Sequence, residues 1–178
     1  MKGVIESGKR VTGLLQKLTE RGWSMRGVSF HIPDEYDNIL AGLLDGVDIE
    51  AFEWKLGGMN ESYVIENNEL GKLLFQDEVM SGETLRRVIS ESEYYLIFVD
   101  IKAFPIGSTT PVNDIATYER FLDSDCQLVL LVADSSYVMI YGKDQRVMDN
   151  LYVTAVNAGY ERVTYLTDEN DYNQTLIM

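Results

Sequence analysis

An acidic residue and a lysine two positions apart are the side chains with the clearest chemical potential in this sequence. Asp100 and Lys102 lie in the apolar run YYLIFVDIKAF, which covers residues 94–104. Side chains at positions i and i+2 of a strand point to the same face of the sheet. In metal-dependent nucleases such a carboxylate binds magnesium, and such a lysine steadies the attacking water. The simpler interpretation is a salt bridge or a polar strand end.

A second carboxylate follows another apolar run. Asp134 comes directly after residues 126–133, which also predict a strand. If the two strands are neighbours, Asp100 and Asp134 would meet at one edge of the sheet, where close carboxylates share a proton or bind a cation. Together with Lys102 they define a possible ligand or metal site. We favour the alternative that Asp134-Ser135-Ser136 is a turn, because aspartate commonly bonds its own backbone there.

The remaining reactive residue types are scarce. A single cysteine excludes a disulfide framework and Cys-based zinc or iron–sulfur sites, and any histidine triad would have to use His31. His31 is predicted on an edge or surface strand, and Cys126 in the core. Residues 3–10 (GVIESGKR) nearly match a phosphate-binding loop, but Arg10 replaces the Ser or Thr and no strand precedes it. The sequence therefore predicts no catalytic group, no metal and no cofactor.

The net charge of the chain restricts the class of molecule that it is expected to bind. The 178 residues contain 15 basic and 29 acidic side chains, a formal net charge of −14. Residues 1–25 carry +3, so residues 26–178 carry −17. Such a surface repels phosphate backbones, which argues against direct nucleic-acid binding, and it attracts a basic protein. The alternative is that the charge serves solubility alone.

Tyrosine is the other abundant residue type, with eleven in the chain. A tyrosine beside carboxylates suits a surface that receives Arg and Lys side chains, because the ring attracts cations and the carboxylates pair with them. Ordinary half-buried tyrosines of a sheet are the alternative for most of them. Nine lie in or beside predicted elements: Tyr36, Tyr63, Tyr94, Tyr95, Tyr137, Tyr141, Tyr160, Tyr165 and Tyr172.

The first 25 residues differ from the rest of the chain. Their apolar positions fall at helical spacing, which predicts a short basic amphipathic helix ending at Gly22. An extension upstream of a native start at Met25 is the alternative. No segment approaches the ~18 apolar residues of a membrane span, and the N-terminus lacks an apolar signal core. We therefore expect a cytoplasmic protein without a membrane segment.

Residues 26–178 predict one α+β domain. Strands are indicated at 26–32, 50–57, 61–66, 94–104, 126–133, 137–142 and 161–166, and helices from about 34, 83, 113 and 144. Gly57-Gly58 predicts a hairpin between the second and third strands. The order of elements favours a mixed, mostly antiparallel sheet with three to four helices packed on it.

Three blocks of the sequence support a family resemblance. They are RGVSFHIP at residues 26–33, YYLIFVDIKAFP at residues 94–105 and DCQLVLLVADSSY at residues 125–137. Over residues 26–170 the chain resembles an uncharacterised family of small acidic proteins from Bacillus-like bacteria. The resemblance implies no catalytic or binding residues.

These observations favour a non-enzymatic binding protein, such as an inhibitor or immunity-type protein acting on a basic partner. The expected binding surface is a set of acidic residues around the predicted hairpin: Asp45, Asp48, Glu50, Glu53 and Glu61. The alternative is a ligand-binding or metal-binding protein, or an enzyme, that uses Asp100 and Asp134 at a sheet edge. A self-associating structural protein is the third hypothesis, and the sequence leaves the oligomeric state open.

Overall fold

The computed structural model describes residues 24–178, and the predicted N-terminal helix lies outside them. Residues 24–178 form one antiparallel sheet of nine strands with four helices, which confirms the predicted α+β class. The strands are β1 (Met25–His31), β2 (Phe52–Leu56), β3 (Glu61–Glu66), β4 (Glu69–Leu73), β5 (Val79–Ser81), β6 (Tyr94–Pro105), β7 (Leu128–Ala133), β8 (Tyr137–Gly142) and β9 (Glu161–Thr167). The helices are α1 (Ile39–Leu43), α2 (Gly82–Ser90), α3 (Tyr118–Asp123) and α4 (Gln145–Asn157).

The central position of β6 organises the sheet. The main order is β4-β3-β6-β7-β8-β1-β9, and β2 pairs with both β6 and β5. β6 has twelve residues, which is long enough for β3 to pair with its first half and for β2 to pair with its second half. Its other edge pairs with β7 from Val99 to Ala103. The most apolar run of the sequence is therefore the central strand, as predicted.

Two apolar cores lie on opposite faces of the sheet. The larger core contains buried side chains of α1, α2 and α4, among them Leu40, Leu85 and Leu151. The smaller core lies under α3 and the last residues of the chain, where Phe121 and Leu176 are buried. Strands β6, β7 and β8 contribute to both cores, because successive side chains of a strand point to opposite faces. Both faces of the sheet centre are thus covered.

The helices expected near residues 83 and 144 and the turn expected at Asp134 are confirmed. Ser81 caps α2 by accepting a hydrogen bond from the Thr84 amide, and Asp144 caps α4 through the Arg146 amide. Asp134 and Ser135 have φ values of 49° and 61°, as a tight turn between β7 and β8 requires. β7 and β8 pair antiparallel from Leu128 to Ala133.

The predicted hairpin at Gly57-Gly58 is wrong. β2 and β3 do not pair with each other, and both pair antiparallel with β6. They therefore run in the same direction along one edge of β6, as two halves of an interrupted strand. The long strand β6 gives β2 and β3 each a full set of backbone hydrogen-bond partners. In a two-stranded hairpin the two segments would pair only with each other.

Two predicted helices are shorter than expected. The helix expected from residue 34 begins only at Ile39, since Asp37 forms an isolated antiparallel bridge with Tyr94. The helix expected from residue 113 is a single 3-10 turn at Val112–Asp114, and α3 begins later, capped by Thr117. Residues 34–38 of the first segment are exposed, whereas Ile115 of the second segment is buried in the smaller core without a regular helix.

Candidate functional site

The Asp100–Lys102 pair lies in the interior of the protein. The two side chains lie on the same face of β6 and form an ion pair, with 0% and 1% of their side chains exposed. The second carboxylate oxygen of Asp100, Oδ2, accepts hydrogen bonds from the Gly58 amide at 2.9 Å and the Met178 amide at 3.3 Å. Both oxygens of this carboxylate are therefore occupied by groups of the chain itself.

The interruption between β2 and β3 is built around Asp100. The Asp100 amide donates to Asn60 Oδ1 at 2.9 Å, and the Asp100 carbonyl accepts from Asn60 Nδ2 at 3.1 Å and from the Gly57 amide at 2.8 Å. A Cβ atom at Gly57 would overlap the Asp100 carboxylate, and one at Gly58 would overlap the Met178 carbonyl. The two glycines are needed because they permit this close approach, and they make no reverse turn here.

The structure does not bring Asp100 and Asp134 together. Asp100 lies opposite Leu131 in the middle of the β6–β7 pair, whereas Asp134 is exposed at the turn that follows β7. Three residues of strand separate Leu131 from Asp134, about 10 Å at the usual rise. Within residues 24–178, no three His, Cys, Asp or Glu side chains form a group that would hold a metal ion. A buried, fully bonded carboxylate is suited to holding structure and offers no open position to a ligand.

A second polar cluster holds residues 168–178 against the smaller core. Arg26 Nε lies 2.8 Å from Asp168 Oδ1, and its guanidinium lies over the Tyr118 ring at 4.6 Å. The Tyr141 hydroxyl donates to Asp171 Oδ1 at 3.1 Å, and burial raises the pKa of Tyr141. These contacts attach residues 168–178 to the sheet, and the polar groups of the cluster face one another.

The lone cysteine and histidine are not arranged for catalysis. Cys126 is 0% exposed, and burial raises the pKa of its thiol to about 12. The nucleophilic thiolate is therefore suppressed at neutral pH. His31 is partly exposed at the end of β1, where its ring lies 5.2 Å from the Tyr137 ring.

The five acidic residues expected around a hairpin are spread over the surface. Glu53 lies opposite Phe104 and Glu61 opposite Phe98, so six residues of β6, about 20 Å, separate them. Glu50 is paired with Arg86, at 2.7 Å from Nε to Oε1. Asp45 and Asp48 are exposed in the segment that follows α1. The collinear path of β2 and β3 removes the turn that was expected to gather them.

A different set of tyrosines and carboxylates meets at one end of the sheet. β1 ends there, β6 and β9 begin there, and β7 turns into β8 there. We call this region the tyrosine-rich end. It consists of His31, Asp34, Glu35, Tyr36, Asp37, Tyr95, Asp134, Tyr137, Tyr160 and Glu161.

Contacts among these residues order the tyrosine-rich end. The Tyr95 hydroxyl donates to Asp34 Oδ1 at 2.5 Å, and the Tyr36 ring meets the Tyr95 ring edge-on at 5.5 Å. The hydrogen bond to Asp34 raises the pKa of Tyr95. On the neighbouring strands, His31 lies opposite Tyr137 of β8 and Glu161 of β9.

The charge of the acidic residues also acts on Tyr160, which is half-buried. The Tyr160 ring stacks on Phe30 at 5.4 Å. Burial raises the pKa of Tyr160 first, and the negative charges of Asp37 and Glu35 raise it further. Tyr36 keeps 47% of its surface exposed. The region thus presents aromatic surface and carboxylates together, which is an arrangement that binds cations.

Sequence reasoning identified the tyrosines of this region but not their assembly. The signal was the repeated placement of acidic residues beside them, as in DEYD at residues 34–37 and YE at residues 160–161. These segments are far apart in sequence and meet only because five strands begin or end at the same end of the sheet. In the part of the chain that is described, no helix is long and apolar enough to span a membrane.

The comparisons with known proteins identify the family of the chain. A family described as a protein of unknown function, DUF2691, matches residues 25–177. The uncharacterized protein YncE of Bacillus subtilis strain 168 is 45% identical over 153 residues, which cover 85% of this chain and 97% of that protein. No solved structure matches significantly. The family match spans nearly all of the described residues, and the chain therefore belongs to the DUF2691 family.

Proposed function

We propose that this protein is a non-enzymatic cytoplasmic binding protein that inhibits a basic protein, and that the tyrosine-rich end is its docking surface. The observation that carries the proposal is the assembly of five carboxylates and four tyrosines at one end of the sheet. Tyrosine is enriched in protein interfaces because its ring is apolar and its hydroxyl forms hydrogen bonds. Carboxylates beside exposed rings suit the guanidinium and ammonium groups of a basic partner.

The charge of the whole body supports the same class of partner. A net charge of −17 over residues 26–178 steers a basic protein toward the surface and speeds association at low salt. Proteins that bind phosphate backbones, such as nucleases, carry the positive grooves that such a surface would cover. The buried carboxylate of Asp100 is bonded to groups of the chain itself, whereas the carboxylates of Asp34, Glu35 and Asp37 at the tyrosine-rich end are exposed.

A charge-reversal experiment tests both the binding function and its location. The full chain would be used as bait in a lysate of Bacillus subtilis, the organism of the 45% identical relative, with retained proteins identified after washes at low and then high salt. The test variant is D34K/E35K/D37K, and D45K/D48K/E50K is the control with the same change in charge. We expect a basic protein that is retained at low salt by the wild type and the control and is lost from the test variant.

Each other outcome contradicts part of the proposal. Loss of the captured protein from the control alone would place the docking surface at Asp45, Asp48 and Glu50 and refute the tyrosine-rich end. Loss from both variants alike would show binding by overall charge without a defined surface. Retention of no basic protein by the wild type would refute the binding function. Thermal melts of both variants establish that each remains folded.

A further inference from the structure

A cavity beside α2 is lined by charged residues of both signs. It lies between α2 and β4, and the segment from Leu74 to Met80 lines it. Its volume is about 220 Å³. This is below the about 300–1,000 Å³ typical of pockets for drug-sized ligands. We call it the α2–β4 cavity, and its size suits a small molecule.

Two basic residues that line the cavity, Lys72 and Arg87, have no ion-pair partner among residues 24–178. Within residues 24–178, neither Lys72 nor Arg87 has a carboxylate oxygen within 4.0 Å, whereas five other basic residues do. Acidic residues outnumber basic ones by 27 to 10 over residues 26–178, so carboxylate partners are abundant. Two cations that remain unpaired and face one cavity are positioned to receive an anionic group.

Two acidic residues line the same cavity. Asp77 lies in the segment after β4, and Glu91 follows the last turn of α2. The cavity-lining residues of α2 are spaced at i, i+3, i+4 and i+7, beginning at Thr84 and ending at Glu91, so one helix face forms this wall. With two cations and two anions, the charges around the cavity balance in a strongly acidic protein.

The uncharged part of the lining is mixed, with apolar residues (Val64, Leu74, Met80 and Val88) and polar ones (Gln76, Thr84 and Ser92). The buried side chains of Leu74 and Met80 and the partly buried Val88 contribute the cavity floor. An apolar floor with charges of both signs at the rim selects a ligand that combines a hydrocarbon group with a carboxylate and an ammonium group. A free α-amino acid with an apolar side chain has this composition in a molecule of the required size.

We propose that the α2–β4 cavity binds a free apolar α-amino acid. Lys72 and Arg87 hold its carboxylate, Asp77 and Glu91 hold its ammonium group, and the floor at Leu74 and Met80 takes its side chain. No residue of the tyrosine-rich end lines the cavity, so this inference is independent of the proposed binding of a basic protein.

The test uses amino acids that are added one at a time to the full chain. The probes are L-leucine, L-methionine and L-phenylalanine, followed by the melting temperature and by amide NMR shifts at Gln76 and Ser92, which line the cavity. A ligand that binds only the folded state raises the melting temperature. The matched analogues are 3-methylbutylamine, which is leucine without its carboxylate, and 4-methylpentanoate, which is leucine without its ammonium group. We expect at least one amino acid to bind and both analogues to bind about tenfold more weakly or not at all, because each loses a charge-assisted interaction.

Single substitutions distinguish binding in this cavity from binding elsewhere on the protein. We expect R87M and E91Q each to weaken the binding of the amino acid by about tenfold, since each removes one charge from the rim. R120M and E119Q change exposed residues of α3 and should leave binding unchanged. Three results would overturn the proposal: no shift with any of the three amino acids, equal binding of an analogue, or equal binding by R87M and the wild type.

Discussion

The Asp100–Lys102 pair and the tyrosine-rich end use similar polar side chains in opposite surroundings. At Asp100 the carboxylate is buried, and the chain itself supplies every partner: Lys102, the Gly58 amide and the Met178 amide. At the tyrosine-rich end Asp34 accepts one hydroxyl, from Tyr95, and is otherwise exposed. A carboxylate in a predicted strand thus indicates a binding or catalytic role only when no internal partner occupies its oxygen atoms.

The difference has a clear energetic basis. A buried ion must recover its lost hydration through internal partners, so its surroundings are built to occupy it completely. An exposed carboxylate keeps its hydration and gives little stability, but it remains able to exchange water for a partner's cation. We therefore expect changes at Asp100 to affect folding, and changes at the tyrosine-rich end to affect association.

The largest effect on stability is expected for Asp100→Ala. This change leaves the Lys102 ammonium buried without its counter-ion and removes the acceptor of the Gly58 and Met178 amides. Loss of one member of a buried ion pair costs about 3–5 kcal/mol in the free energy of unfolding. Urea unfolding followed by circular dichroism measures it. The control is Asp123→Ala, an exposed aspartate for which we expect a change within about 0.5 kcal/mol.

The double variant D100A/K102M sharpens this prediction. It removes both charges, so it should be more stable than D100A alone although it has lost more polar contacts. If D100A and D123A lose equal stability, the pair is not buried in solution, and the contrast with the tyrosine-rich end fails.

A smaller loss of stability is expected for Gly57→Ala. The added Cβ would overlap the Asp100 carboxylate, so β2 or Asp100 must shift, at a cost of about 1–3 kcal/mol for overpacking. Gly42→Ala is the matched control, because nothing lies within 4 Å of a Cβ at that helical position. We expect Gly42→Ala to stabilise the protein by about 0.4–1 kcal/mol through the entropy of the unfolded chain. Equal effects of the two substitutions in chemical denaturation would contradict the close approach at Gly57.

The smallest effect on stability is expected for Asp34→Asn at the tyrosine-rich end. The pKa of Tyr95 is raised from 10.0, first of all by its hydrogen bond to Asp34. A raised pKa in the folded state contributes stability below pH 10 that is lost as the pH rises through the folded value. Asparagine keeps the hydrogen-bond acceptor and removes the charge, so the pKa of Tyr95 should move back toward its ordinary value.

Tyrosine-selective 13C NMR during an alkaline titration measures this pKa, and Tyr95→Phe assigns the signal. Tyr141 serves as the internal reference, because burial, and not Asp34, is the main cause of its raised pKa. If Tyr95 titrates identically in the wild type and Asp34→Asn, the Tyr95–Asp34 contact does not exist in solution. The tyrosine-rich end would then lose the contact that orders it.

Local signals in the sequence predicted much of the fold. The apolar run at residues 94–104 identified the central strand, and helices were correctly expected to begin near residues 83 and 144. The turn at Asp134-Ser135 and the antiparallel return of β8 were predicted in the same way. These features depend on alternation, backbone dihedral preferences and bonds between near neighbours, all of which a short segment specifies by itself.

The sequence alone was misleading where one local pattern is compatible with two different structures. Gly57-Gly58 resembles a hairpin turn, yet the glycines are there because the Asp100 carboxylate and the Met178 carbonyl come close to them. The acidic residues from Asp45 to Glu61 were expected to be neighbours because the two glycines were interpreted as a hairpin turn. A missing side chain permits either a turn or a close approach, and only the neighbouring strand decides between them.

The sequence by itself determined the α+β class, the central strand, the charge and the supply of tyrosines. Tertiary structure decided which polar groups are bonded inside the protein and which remain exposed. It buried Asp100 and Lys102 and separated Asp100 from Asp134. It also brought Asp34, Tyr95 and their neighbours together at one end of the sheet. The physical reason is that burial and pairing depend on which strands share an edge. That choice is made by hydrogen bonds between segments far apart in sequence, which no local pattern encodes.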